Sequence, residues 1–217
     1  MYKLLVFDLD GTSADTDMMV IETMRSLFKK FAPEKDVGDE DLLKFSGPPL
    51  RVSLPEAFPH VPIEVSMKEF NEQSIANYEK YVKAFYHEKV VLMRLKRLGY
   101  KLAIVTNKAN KFIDFTLKLA DLEEVFDFIV GYDDVRKPKP NPEGVEKCIA
   151  HFGVEKKDTL YIGDTYYDYL TAKNAGVDFA LITFVDKHIR EPMDVKFKVK
   201  SYDNLSNILM CLRFIEQ

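Results

Sequence analysis

Tyr2-Lys-Leu-Leu-Val-Phe-Asp8-Leu-Asp10-Gly11-Thr12 opens the chain, and how it is read decides the fold. Residues 2–8 are a short apolar run ending in acid, the pattern of a strand buried on both faces. Such a strand needs neighbours, and the sequence offers them only from residue 88 onward. There helix and strand patterns alternate: helix 88–98 closed by Gly99, strand 101–106, helix 109–119, strand 126–130, helix 142–152, strand 159–163, helix 167–175 and strand 179–183. This alternation predicts an α/β fold with a Rossmann-like parallel sheet covered by helices on both faces, and the strand at 2–8 joins that sheet. Lys196-Phe-Lys-Val-Lys200 alternates strictly and reads as an edge strand whose lysines discourage further pairing. A final helix is expected over about 203–215.

Between the first strand and this core the rhythm is helical. Val20, Met24, Leu27 and Phe31 recur at steps of four and three until Pro33 breaks the segment. Three further helices are expected near 39–46, 49–57 and 66–81, the last opening on Ser66 and Glu69 as a capping box. Prolines 48, 49, 55, 59 and 62 keep the middle helices short. The expected division is therefore a catalytic core at 1–14 and 83–217 with an all-helical cap at 15–82.

The length of 217 residues fits one domain carrying an insertion, and a hydrophobic fraction of 47% is enough to bury a core. With 31 Lys+Arg against 35 Asp+Glu the net charge is -4, so nothing draws the chain to nucleic acid or an anionic membrane, and neither partner is expected. Apolar runs such as Phe179–Val185 fall short of a membrane span. Asp8 and Asp10 interrupt the N-terminal run too early for a signal peptide, which makes the cytoplasm the expected compartment. Cys148 and Cys211 read as reduced structural residues. The histidines at 60, 87, 151 and 188 have no zinc-type spacing, so any metal is expected to be a hard cation held by oxygens.

In an open parallel sheet, ligands bind beyond the carboxyl ends of the strands. The first strand ends in Asp8-Leu-Asp10-Gly11-Thr12, the second in Thr106-Asn107 and the fourth in Gly163-Asp164-Thr165, with Asp168 a turn further on. After the third strand comes Arg136-Lys137-Pro138-Lys139-Pro140. Four carboxylates converging on one end of a sheet call for a divalent cation and an ammonium, which Mg²⁺ and Lys137 can supply.

In this order and at these strand ends, the four segments resemble the motifs of the haloacid dehalogenase-like hydrolase superfamily. With the helical block in cap position, the likeness is to its phosphoglycolate phosphatase-like branch and covers nearly the whole chain. The resemblance implies a Mg²⁺-dependent phosphatase acting on a small phosphorylated metabolite, either phosphoglycolate-like or a nucleoside monophosphate. It implies Asp8 as the nucleophile that forms an aspartyl-phosphate and Asp10 as acid and base. Thr106 and the Asn107 amide would bind the phosphoryl group beside Gly11 and Thr12, and Lys137 would neutralise charge on Asp8. Asp8, the Asp10 carbonyl and Asp164 would hold Mg²⁺, with Asp168 fixing its waters.

Simpler structural roles remain open at this stage. Asp168 could be only a helix cap, Thr106-Asn107 could cap the helix starting near 109, and Lys137 could be solvated. Phe45-Ser-Gly-Pro-Pro-Leu-Arg51 looks like the branch's cap segment, which would put Arg51 against a substrate anion, though it could equally be a surface arginine. Arg25, Lys83 and His87 are weaker candidates. Ser13 stands where the family usually has an apolar residue and is expected to loosen packing there. Tyr86-His87-Glu88 replaces the usual Pro-Gly and is expected to alter the hinge. The rivals are a β-phosphoglucomutase-like phosphomutase and a catalytically silent binding module on the same fold. The sequence leaves monomer and homodimer equally open.

Overall fold

A computed structural model describes residues 1–185, 187, 189 and 191–215; His188 lies outside the described residues. The chain runs β1 (Leu4–Phe7), α1 (Asp17–Phe31), α2 (Asp39–Leu43), α3 (Leu50–Ala57), α4 (Ile63–Tyr81), α5 (Glu88–Arg97), β2 (Lys101–Val105), α6 (Asn110–Leu119) and β3 (Phe128–Val130). It continues through α7 (Glu143–Phe152), β4 (Thr159–Gly163), α8 (Tyr166–Ala175), β5 (Asp178–Ile182), β6 (Phe197–Val199) and α9 (Tyr202–Ile215).

The strands form one sheet in the order β3-β2-β1-β4-β5-β6, and every pair is parallel. β1 is central, and its side chains alternate between the two helical layers. Leu5 and Phe7 join one core and Leu4 and Val6 the other, all fully buried. This two-sided burial explains an apolar run without polar alternation. Direction reverses at β1: later strands are added on one side up to β3, then on the other from β4. The carboxyl ends of β1, β2 and β4 therefore flank a switch point, where open α/β sheets bind ligands. β6 closes one edge, with Lys196, Lys198 and Lys200 exposed along it.

Helices α1 to α4 occupy the space between β1 and α5 and pack mainly on one another. Val20, Met24 and Leu27 face inward as their spacing requires, and Phe28 meets Phe58 and Phe45. The chain leaves and re-enters the sheet region at adjacent points, since Asp15 and Lys83 form an antiparallel bridge. Helix α4 starts earlier than expected, at Ile63 after Pro62. Proline at that position lacks the amide that would otherwise need a partner, so Ser66 lies inside the helix and donates to the Ile63 carbonyl instead of capping it. Both cysteines are free; Cys148 is buried, whereas Cys211 is exposed and is not a core residue. Among the described residues, no helix is long and apolar enough to cross a membrane.

Candidate active site

The loop after β1 is tight. Three amides, those of Thr12, Ser13 and Ala14, converge on the Leu9 carbonyl, and Gly11 sits at φ 79°. Gly11 also leaves room for a neighbour, because a Cβ there would lie 2.2 Å from Asp164 Oδ2. Thr12 Oγ1 donates to Asp164 Oδ1 at 2.6 Å, so the loop and the end of β4 are held together. Ser13 does not loosen this region: it is fully buried, and its hydroxyl donates to the Asp8 carbonyl at 2.8 Å.

Asp8 ends β1 and is 2% exposed. The lysine that meets it is Lys139, not Lys137. Lys139 Nζ lies 2.7 Å from Asp8 Oδ1 and 2.7 Å from Asp168 Oδ1, with its side chain buried, whereas Lys137 is exposed. The backbone explains this choice. Glu143 accepts hydrogen bonds from the amides of Arg136 and Lys137 at the surface, while Asn107 Oδ1 accepts from the Lys139 amide at 2.9 Å and draws that residue inward. Asn107 Nδ2 donates to the Lys139 carbonyl at 3.3 Å and to the Gly47 carbonyl of the helical insertion at 3.0 Å. Asn107 thus ties three segments together. Thr106 is nearly buried, and neither residue caps α6, whose N-cap is Ala109.

Asp168 has two functions in the geometry. Its Oδ2 closes a capping box with Thr165 at the start of α8, while Oδ1 accepts from Lys139 and from the Tyr161 hydroxyl at 3.2 Å. Asp10 pairs with Lys108, whose Nζ donates to its two carboxylate oxygens at 2.7 and 3.0 Å. That lysine also lies 5.1 Å from the ring centroid of Tyr78 on α4. Asp164 Oδ2 faces Lys187 at 3.2 Å, and Lys187 also contacts Asp17.

The electrostatics follow from crowding. Burial, then the neighbouring Asp168 and Asp164 carboxylates, push Asp8 up to about 8 against the opposing pull of Lys139. Burial likewise raises Asp164 to about 6, with Lys187 acting against it. For Lys139, burial disfavours the ammonium, but Asp168 and Asp8 outweigh it and hold the charge in place. Asp8, Asp164 and Asp168 each bring a carboxylate oxygen within 4.8 Å of the others. Asp8 Oδ1 and Asp164 Oδ2 are buried without a hydrogen-bond donor in good geometry, although each faces an ammonium. An all-oxygen set with unsatisfied buried acceptors could hold a hard divalent cation.

Asp8, Asp10, Thr106 and Asn107 open onto a cavity of about 720 Å³ between the strand ends and the helical insertion, and Arg51 on α3 lines its far side. Arg25 instead pairs with Asp39 at the surface. Lys83 and His87 lie outside the cavity, facing Asp15 and Asp203 respectively. Lys108, Lys187, Tyr161 and Asp17 also belong to this constellation, although none carried a signal in the sequence. A lysine two residues past a strand and a tyrosine inside one look like ordinary surface and core positions until the fold sets them against carboxylates.

At the carboxyl ends of β1 and β2 the cavity meets the buried Asp8 carboxylate and the Asp10–Lys108 ion pair, in the region where α/β enzymes bind their ligands. The comparisons are specific: the profile of the haloacid dehalogenase-like hydrolases matches residues 5–182, and the chain belongs to that family. It is 33% identical over 208 residues to the pyrophosphatase PpaX of Halalkalibacterium halodurans, covering 94% of this chain and 95% of that one. It is also 33% identical to PpaX of Bacillus velezensis over 186 residues, 84% of each chain. Among solved structures it resembles a haloacid dehalogenase-like hydrolase of Streptococcus pneumoniae, with a TM-score of 0.83 at 19% identity, over 96% of this chain and 98% of the other.

Proposed function

We propose that this hydrolase is a Mg²⁺-dependent phosphatase that cleaves small phosphate monoesters through an aspartyl-phosphate on Asp8. The observation that carries the reading is the buried Asp8 carboxylate, open to the cavity and set 2.7 Å from Lys139. In the first step an Asp8 oxygen attacks phosphorus and the bond to the alcohol oxygen breaks, with protonated Asp10 giving its proton to the leaving alkoxide. In the second, Asp10 takes a proton from water as the water oxygen attacks phosphorus, and the bond to Asp8 breaks to release phosphate. Lys108 holds the Asp10 carboxylate in position for both transfers. Thr106, the Asn107 amide and the loop at Gly11 and Thr12 receive the phosphoryl oxygens, and Lys139 takes the charge-neutralising role expected of Lys137.

Asp8, the Asp10 carbonyl and Asp164 would hold Mg²⁺, with Asp168 supporting them; the bound ion supplies positive charge to the phosphoryl oxygens and the carboxylates. Residues 15–82 act as a cap that moves on the paired connections at Asp15 and Lys83, and Arg51 meets an anionic group of the substrate. The enzyme works in the cytoplasm. The relatives named pyrophosphatase add pyrophosphate to the candidate substrates.

Phosphate release from monoesters and pyrophosphate, with Mg²⁺ and with chelator, tests the proposal. Metal-dependent release should fall by about 10³-fold or more in Asp8→Asn. Full activity in that variant removes the nucleophile, and transfer to a sugar without net release favours a mutase.

A further inference from the structure

The cavity is much larger than the chemistry at Asp8 requires. At about 720 Å³ it lies within the range of about 300–1,000 Å³ typical of pockets that enclose a ligand of many atoms. A phosphoryl group uses only the end at Asp8 and Thr106. Beyond it the walls are Met19, Phe45, Met67 and Phe70 of the helical insertion and Phe112 and Tyr132 of the sheet domain. Phe112 is held in place by Tyr78, which stacks on it at 5.7 Å and 14° between planes. These walls are a pre-positioned apolar and aromatic surface.

Charge points the same way. The lining carries four basic side chains, Arg51, Lys68, Lys108 and Lys111, against five acidic ones. Lys108 is committed to Asp10, Lys68 lies 3.7 Å from Glu72, and Lys111 stands 4.7 Å from the Phe112 ring centroid. A second phosphate or a carboxylate in this space would have Arg51 and Lys111 to meet it, but it would lose water against aromatic walls with five acidic side chains in the same lining. A flat ring would instead meet the apolar and aromatic side chains of these walls, with polar lining residues for its substituents.

We propose that the leaving alcohol of the substrate carries an aromatic ring, seated against Met67 and Phe70 of α4 and Phe112 of α6. The substrate class is then the phosphate monoesters of ring-bearing primary alcohols, ahead of phosphoglycolate, glycerol phosphate and pyrophosphate. This rests on the phosphatase reading above and narrows it. A nucleoside and a pyridoxine-like alcohol share the ring chemistry and differ in the sugar.

The test compares kcat/KM with Mg²⁺ for uridine 5′-monophosphate, pyridoxine 5′-phosphate, glycerol 3-phosphate, phosphoglycolate and pyrophosphate. The first three all release a primary alkoxide, so their intrinsic reactivities are matched. Both ring-bearing esters should exceed glycerol 3-phosphate by about tenfold or more, as differential binding in an apolar pocket allows. Phe112→Ala should bring that ratio down toward one, and Phe112→Tyr, which keeps the ring, should preserve it. Preference for the nucleotide alone supports the proposal and assigns the ring to a nucleoside. Ringless esters or pyrophosphate turned over as well or better overturn the proposal while leaving the phosphatase reading intact. No release from any compound overturns both.

Discussion

At the residue scale, two lysines one residue apart show where sequence stops and structure begins. Lys137 and Lys139 flank the same proline and carry the same chemistry; only the contacts of their amides decide which side chain is buried. Those contacts come from Glu143 and from Asn107, thirty-two positions away, so local pattern could not select between them. Removing the ammonium from between two buried carboxylates leaves them uncompensated, so Lys139→Ala should lose about 3–5 kcal/mol of stability and nearly all activity. Lys137→Ala should stay within about 0.5 kcal/mol of the parent. Urea unfolding with a phosphate-release assay checks both. Glu88 shows the same limit. It is 1% exposed, accepts from the Phe85 amide and lies 2.9 Å from the Tyr202 hydroxyl, which also reaches the Thr12 carbonyl at 2.6 Å. One hydroxyl proton cannot serve two acceptors, so a protonated Glu88 satisfies both contacts. Burial raises this carboxyl from 4.5 to about 8, against the pull of its hydrogen bonds. Between those values the folded state keeps a proton that the unfolded chain has lost, so stability is full below pH 4.5 and declines as pH rises to about 8. Glu88→Gln carries no such titration, so its stability relative to wild type should improve by up to a few kcal/mol between pH 5 and 8. A difference independent of pH in urea unfolding would show that Glu88 is already ionised.

At the scale of elements, the sheet was readable because β1, β2 and β4 are short apolar runs buried on both faces, with helical patterns between them along the chain. Their limits fall within one or two residues of the expected ones. Helix α4 was misplaced at its start because Ser66 and Glu69 imitate a capping box, while the actual start depends on Pro62. The turn from β4 into α8 holds a second tight approach in the site, after that of Gly11. A Cβ on Gly163 would lie 2.4 Å from Asp168 Cβ, so the strand end and the helix start meet only where a side chain is missing. Gly163→Ala must push α8 away and carry Asp168 off Lys139. A displacement of about 1 Å at a catalytic constellation is worth roughly 10²-fold in rate, and forced overpacking costs about 1–3 kcal/mol. The variant should therefore fold with a lowered Tm and lose about 10²-fold in kcat; unchanged turnover would mean that Asp168 does not need its present position.

For the whole molecule, the sheet order brings Asp8, Asp164 and Asp168 together, although more than 150 residues separate the first two, and the helical insertion closes the space above them. Order of motifs along the chain made this placement legible in the sequence, since Asp8 and Asp164 directly follow strands and Asp168 lies one turn into the next helix. The aromatic lining did not show itself there, because Phe70 and Phe112 follow helical periodicity and look like ordinary core. The price of gathering these acids is visible in the raised values of Asp8 and Asp164, and a cation that binds only the folded arrangement must relieve it. Ligand linkage sets the size: at a Mg²⁺ concentration one hundred times its Kd the stabilisation is about 2.7 kcal/mol. For a chain of this length each kcal/mol moves Tm by about 2–4 °C, so saturating Mg²⁺ should raise Tm by roughly 5–10 °C. Asp164→Asn removes one ligand and part of the repulsion together. It should therefore raise the Tm of the metal-free protein while abolishing most of the Mg²⁺ shift, a crossed pattern that general salt screening cannot produce. Thermal unfolding of both proteins with Mg²⁺ and with equal ionic strength of a monovalent salt separates the two. An equal Mg²⁺ shift in parent and variant would place the cation away from the strand ends.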